Sequence, residues 1–150
     1  MSQPFYRKVD IFMKMTNAVL VGFINALSSF EEKKLPQKIS YAITRNMIVA
    51  QKEYGIYESQ LKKIIKDFEQ FIIKDDDDKP IFEENGLPKI VDSEKENFAH
   101  EINDLMGVEI DFDLYNIDIS AFDYEDSERF DPLSPADIML LQSMICKTEE

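Results

Sequence analysis

The chain has 150 residues, enough for one domain with a single sizeable core and too few for two ordinary ones. Its formal net charge is −13, but 44% of its residues are hydrophobic and 11% aromatic, which excludes the composition of a disordered acidic protein. One cysteine and one histidine exclude an internal disulfide and a Cys/His zinc site, four glycines leave no room for a glycine-rich phosphate loop, and the lone Cys146 suits a reducing compartment.

Residues 1–14 mix Phe5, Tyr6, Val9, Ile11 and Phe12 with charges and form an extension of uncertain form. Arg7, Lys8 and Lys14 ahead of "AVLVGFINAL" imitate a secretory signal. Asp10, Asn25 and the helical spacing of the apolar residues favour a core helix instead, and no apolar run approaches the roughly 20 residues that span a bilayer. A soluble, cytoplasmic protein without membrane contact is expected.

From a cap at Thr16 or Asn17, the residues Val19, Leu20, Phe23, Ile24, Leu27 and Phe30 recur on one face of a first helix. "EEKK" links it to a second helix, with Pro36 at its first position. There Ile43, Ala50, Tyr57, Ile64 and Phe71 stand seven apart, interleaved with Met47, Tyr54, Leu61 and Phe68, and form a heptad seam. The register runs through Gly55 without a slip, so an unbroken helix is expected. From Pro36 to Lys74 it would be about 58 Å long, against a radius of gyration of about 15 Å for a compact chain of this size. Part of the seam must therefore pack on the C-terminal half, on a second copy, or on a partner. Met47, Tyr54, Tyr57, Leu61, Ile64 and Phe68 are the candidate self-association residues, and a homo-oligomer is expected.

"DDDDK" at 75–79 fails the calcium-loop pattern, because the sixth position counted from Asp75 is Pro80 and the twelfth is Gly86. It reads as a helix stop, followed by a β-hairpin in which "KPIF" and "LPKIV" flank "EENG". Ser93 to Glu96 has the form of a capping box for a third helix carrying Phe98, Ile102 and Leu105 and ended by Gly107. "VEIDFDLY" alternates, with Val108, Ile110, Phe112 and Leu114 on one face of a strand and Glu109, Asp111 and Asp113 on the other. "NIDISAF" continues after a kink. After the polar loop "DYEDSERFDP", Ser134, Pro135 and Asp137 begin a last helix with Ile138, Leu141, Met144 and Ile145. The fold class is α+β in a single domain: an extension at 1–14, a helical part at 15–74 and an acidic mixed part at 75–150.

Charge divides at the same place. Residues 1–74 carry 12 basic and 7 acidic side chains, net +5, and residues 75–150 carry 5 and 23, net −18, which together give −13. Glu109, Asp111, Asp113, Asp123, Glu125 and Asp126 are the candidate acidic contact face, with Glu128 as an extension. His100 falls off the apolar stripe of its helix and reads as a surface residue. No spacing of carboxylates marks a catalytic pair or a metal site, so neither enzyme activity nor a cofactor is expected. Tyr41, Arg45 and Asn46 could hold a phosphate or a nucleobase, but a Tyr–Arg stacking pair at the junction of the first two helices is the better reading.

"LPQKISYAITRN", "ENGLPKIVD", "FAHEINDLMGVEIDFDL" and "LSPADIMLLQSMI" together resemble small acidic proteins of unknown function encoded by phages and prophages of low-GC Gram-positive bacteria. The likeness runs from Met15 to Ile145. It implies an accessory protein working inside an infected or lysogenic cell and transfers no activity to any residue. Two functions are expected in order: an interaction protein that self-associates through the long helix and presents its acidic face to a basic host or phage protein, or a nucleic-acid mimic that inhibits a basic nuclease or defence protein. Direct nucleic-acid binding is not expected.

Overall fold

The computed structural model describes residues 12–125 and 129–146. Strand β1 (Phe12–Thr16) leads into helix α1 (Asn17–Ser28), and α2 (Gln37–Asp67) follows. Beyond an irregular arm come α3 (Lys95–Met106), β2 (Glu109–Asp113), β3 (Ile117–Asp118), α4 (Pro135–Leu141) and β4 (Ile145–Cys146). The architecture is α+β, as the alternation of 3.6-residue and two-residue patterns requires. Among the described residues no helix is long and apolar enough to cross a membrane.

The uncertain N-terminal extension ends in β1, which pairs antiparallel with β2 from Phe12↔Asp113 to Thr16↔Glu109. Thr16 caps α1 by accepting a hydrogen bond from the Val19 amide at 3.2 Å. The buried Asn17 donates to the Leu105 carbonyl at 2.8 Å, which ties the start of α1 to the end of α3. Met15, Leu20, Phe23, Leu27, Ile39, Ala42, Phe112, Leu114, Leu141 and Met144 belong to one core, with the Phe23 and Phe112 rings edge to face at 5.4 Å. A short parallel pair, β3 with β4, closes the C-terminal side.

Helix α2 runs unbroken through Gly55 for 31 residues, about 46 Å. It stops at Asp67, earlier than the aspartate run, because Phe68 and Phe71 leave the helix through a 3-10 turn and pack on each other and, through Phe68, on Phe98 of α3 at 5.2 Å. The aspartates therefore form a tight turn and not a helix stop. Asp75 accepts from the amides of Asp77 and Lys79, and Asp78 takes a left-handed φ of 63°.

The expected hairpin is present, with Phe82 bridged to Pro88 and Gly86 at φ 84° in its turn. It belongs to a three-segment arm. The Ile81 amide donates to the Ile73 carbonyl, the Lys89 amide to Ile81, and the Ile73 amide to Lys89, so each segment is bonded to both of the others. This closed triangle satisfies backbone groups that a lone two-stranded hairpin would leave open.

Three local expectations are corrected. Ser93 does not cap α3, because a 3-10 turn over Asp92–Glu94 starts the helical path earlier and leaves Ser93 inside it. Val108 is 47% exposed and precedes the strand, its carbonyl accepting instead from the Asn17 amide. The last helix is short: Leu141 and Met144 are buried as expected, but Met144 lies in a 3-10 turn, Ile145 in β4, and Ile138 faces outward. Ser134 and Asp137 do form a reciprocal capping box.

Candidate functional site: an acidic strand beside an aromatic-held arginine

Strand β2 buries Phe112 and leaves Glu109, Asp111 and Asp113 exposed on its other face. Carboxylates on alternate residues of a strand stand about 6.8 Å apart. None of the three makes an ion pair within the described residues. Lys14 on β1 sits directly opposite Asp111 in the register, a neighbour that the sequence could not supply while the form of residues 1–14 was open. Asp123 and Glu125 are exposed beyond the 3-10 turn that follows β3, and Asp126 and Glu128 lie outside the described residues.

The end of this strand adjoins the "YAITRN" cluster. Asn46 is 1% exposed and is fully committed to structure: its amide donates to the Tyr115 carbonyl at 2.8 Å and its oxygen accepts from the Tyr115 amide at 2.7 Å. That double bond fixes Tyr115 next to α2. The Arg45 guanidinium then lies 5.0 Å from the Tyr115 ring centre and 5.8 Å from that of Tyr41, and the two rings meet edge to face at 5.7 Å. The guanidinium donates a 3.4 Å hydrogen bond to the Tyr41 hydroxyl, and this contact, with a smaller contribution from the Asp113 charge, pushes its pKa further up, so it stays charged throughout. The stacking pair is real, but its setting is the β2 exit and not the junction of the first two helices. Tyr115 was missed because it follows the alternating strand and reads only as the strand's end.

The seam residues are divided between two environments. Met47 is buried in the main core, whereas Tyr54, Tyr57, Leu61, Ile64 and Phe68 are half-buried. Tyr57 reaches Met106 at the end of α3, with its hydroxyl 3.2 Å from the sulfur, and burial raises its phenol pKa. At the far end of α2, Lys62, Ile65 and Lys66 form an open groove of about 420 Å³ with Ile72, Lys74 and Pro80.

His100 is exposed, 3.3 Å from Asp104 one turn on. Among the described residues no group of three or more His, Cys, Asp or Glu side chains stands close enough to hold a metal ion. Cys146 is half-buried beside Asp118, and both burial and that charge raise its thiol pKa, which disfavours a reactive thiolate. No family model, curated protein or solved structure matches the chain.

Proposed function

We propose that the protein is a non-enzymatic interaction module that self-associates and presents the outer face of β2 to a basic partner. The observation that carries this reading is the row of exposed, unpaired carboxylates Glu109, Asp111 and Asp113 on a strand whose opposite face is core. Like charges gathered on a rigid strand oppose folding slightly, and a cationic partner relieves them. The phage-type accessory setting and the cytoplasmic location belong to the same proposal and rest on the motif resemblance and the lone cysteine. The half-buried stretch from Tyr57 to Phe68 is where the seam still has apolar surface to offer a second copy.

Nucleic-acid mimicry is the second reading, favoured by the regular spacing of the three carboxylates. Lys14 opposite Asp111 weakens it, because a cation within the row breaks an otherwise uniform line of charge. Capture from a host lysate at low and high salt tests both. Wild type is expected to retain basic proteins at low salt only, and Asp111→Asn with Asp113→Asn to lose them without a lower melting temperature. Retention of a nuclease that duplex DNA displaces favours mimicry, and unchanged capture by the double variant removes β2 from either account.

A further inference from the structure

We propose that the outward face of α2 docks the acidic β2 face of a second copy of this chain, in a two-fold dimer. The inference rests on the self-association part of the proposed function and relocates its contact surface to α2 and β2, so that a second copy and a basic partner compete for the β2 face. Self-association was expected on the heptad seam, but the proximal seam is filled by the chain's own core and the distal seam is partly covered by α3. On the opposite side of the helix Tyr115 packs on Tyr41 and Arg45, while Lys38, Ile48, Lys52 and Ile56 are exposed.

Along that side Lys38, Tyr41, Arg45, Ile48, Lys52 and Ile56 follow one another in steps of three and four, which keeps them on one face of the helix. All six are exposed, and the three apolar ones strongly so: Tyr41 50%, Ile48 62% and Ile56 57%. A cation thus alternates with a large apolar side chain for five turns. No carboxylate falls in this stripe; Glu53 and Glu58 project from the flanks. Lys38 and Lys52 have no ion-pair partner among the described residues. In a chain of net charge −13, an acid-free basic and apolar helix face is the feature that solubility alone does not account for.

Charge decides the occupant. Duplex DNA and anionic lipid would also meet the cations, but both are repelled at long range by a protein of this net charge. A second copy carries the same net charge, yet it offers a local complement in Glu109, Asp111 and Asp113, which are exposed and unpaired. Lys38, Arg45 and Lys52 span about 21 Å of helix, and the three carboxylates about 14 Å of strand, a difference that flexible lysine stems absorb. Arg45 is already held between two tyrosine rings, so little side-chain freedom is lost on contact, and arginine and tyrosine are the residue types that dominate interface energetics.

The two faces adjoin within one protomer, since Tyr115, two residues past Asp113, packs on Tyr41 and on the Arg45 guanidinium. A two-fold axis through that junction lays each helix stripe across the other copy's strand, so that every contact is made twice.

Charge reversal on the full chain provides the test. Lys38→Glu with Lys52→Glu makes the stripe acidic, and Asp111→Lys with Asp113→Lys makes the strand basic; all four side chains are exposed, and circular dichroism checks that each variant folds. By sedimentation velocity at low salt, wild type is expected to be dimeric, and each variant alone to lose about tenfold or more in dimer affinity. An equimolar mixture of the two variants should recover the dimer, because both of its contacts pair an acidic surface with a basic one. A wild type that dimerises while both variants dimerise equally well overturns this proposal and returns self-association to the seam. A wild type that stays monomeric at low salt overturns both this proposal and the self-association half of the proposed function, while the lysate capture by β2 stands or falls separately. Binding of anionic vesicles or duplex DNA that Lys38→Glu with Lys52→Glu abolishes, without any dimer, overturns it in favour of those partners.

Discussion

The two halves of α2 carry the same heptad and meet very different surroundings. In the proximal half Ile39, Ala42, Ile43, Met47 and Ala50 are buried, because α1, the β1–β2 sheet and the segment after β2 close over them. In the distal half Tyr54, Tyr57, Leu61, Ile64 and Phe68 remain half-buried, because their cover is the 12-residue α3 and the arm beyond Phe71. Periodicity reports which side of a helix is covered. It does not report how thick the cover is, which depends on elements distant in sequence.

The largest test of this difference truncates one seam residue in each half. Ile43→Ala is expected to cost about 2–5 kcal/mol, the range for a buried aliphatic residue that leaves a cavity. Leu61→Ala should cost about half of that, since less apolar area leaves water on folding. Urea unfolding curves with a common slope would measure both. Equal losses would show that the distal half is covered more completely than its half-buried state indicates, as by a second copy on the seam. Leu61→Ala with Phe68→Ala, measured by light scattering as well, separates that case from simple destabilisation.

A second test acts at the proximal end, where α2 is pinned to the strand exit. Asn46→Leu removes both hydrogen bonds to the Tyr115 backbone and leaves a carbonyl and an amide unpaired, at about 1–3 kcal/mol for each group that stays dry. Tyr115 should then drift from Arg45, so the ring resonances of Tyr41 and Tyr115 should move together in an NMR spectrum. A loss of stability with both rings unmoved would mean that Asn46 holds the backbone without holding the cluster.

How much of this was legible follows from the range of each interaction. The unbroken α2, the α1 face, the apolar stripe of α3 and the Ser134–Asp137 cap depend on residues within a turn or two of each other, and their patterns are visible in the chain. The outward placement of Glu109, Asp111 and Asp113 followed from strict alternation. The pairing of β1 with β2 did not, because residues 12–16 mix apolar and charged residues and gain strand form only from a partner nearly a hundred residues away. The three-segment arm was half-read for the same reason: its hairpin has a local turn signal, whereas the Ile72–Ile90 bridge has none. Ser93 failed as a cap because sequence spacing cannot distinguish an α-helix start from a 3-10 turn one residue earlier. The stripe from Lys38 to Ile56 was present in the sequence, but the stronger heptad on the opposite side drew the reading away from it.

A third and smaller effect is electrostatic. Lys33 donates to Asp137 at 2.8 Å, and with the Ser134 amide it holds that carboxyl below its ordinary value of 3.8. Because the folded-state pKa is the lower one, the stabilisation is complete above the unfolded value and is lost as pH falls through the folded pKa. Asp137→Asn should therefore cost about 1 kcal/mol near neutral pH, the scale of a helix cap, and the cost should vanish in acid. Melting temperatures taken from neutral pH down to about pH 2 check this. A difference from wild type that persists at the acid end would assign the effect to packing and not to charge.

The smallest expected effect lies in the arm, at the four aspartates. Asp75 uses one carboxylate oxygen to accept from the amides of Asp77 and Lys79, and its carbonyl accepts from the Asp78 amide, so its donors and acceptors already serve the turn. Asp78 sits at φ 63°, a conformation that an aspartate tolerates at a cost of about 1–2 kcal/mol and a glycine adopts freely. Glycine also gains freedom in the unfolded chain, worth about 0.4–1 kcal/mol, so the two effects largely offset and Asp78→Gly should change stability by about 1 kcal/mol or less. Millimolar calcium should leave the melting temperatures of wild type and variant where they were, because no three carboxylates converge on one point among the described residues. A saturable calcium stabilisation of wild type, absent in Asp76→Asn with Asp78→Asn, would show that the turn rearranges around an ion, and the arm would then be a second charged site to set beside β2.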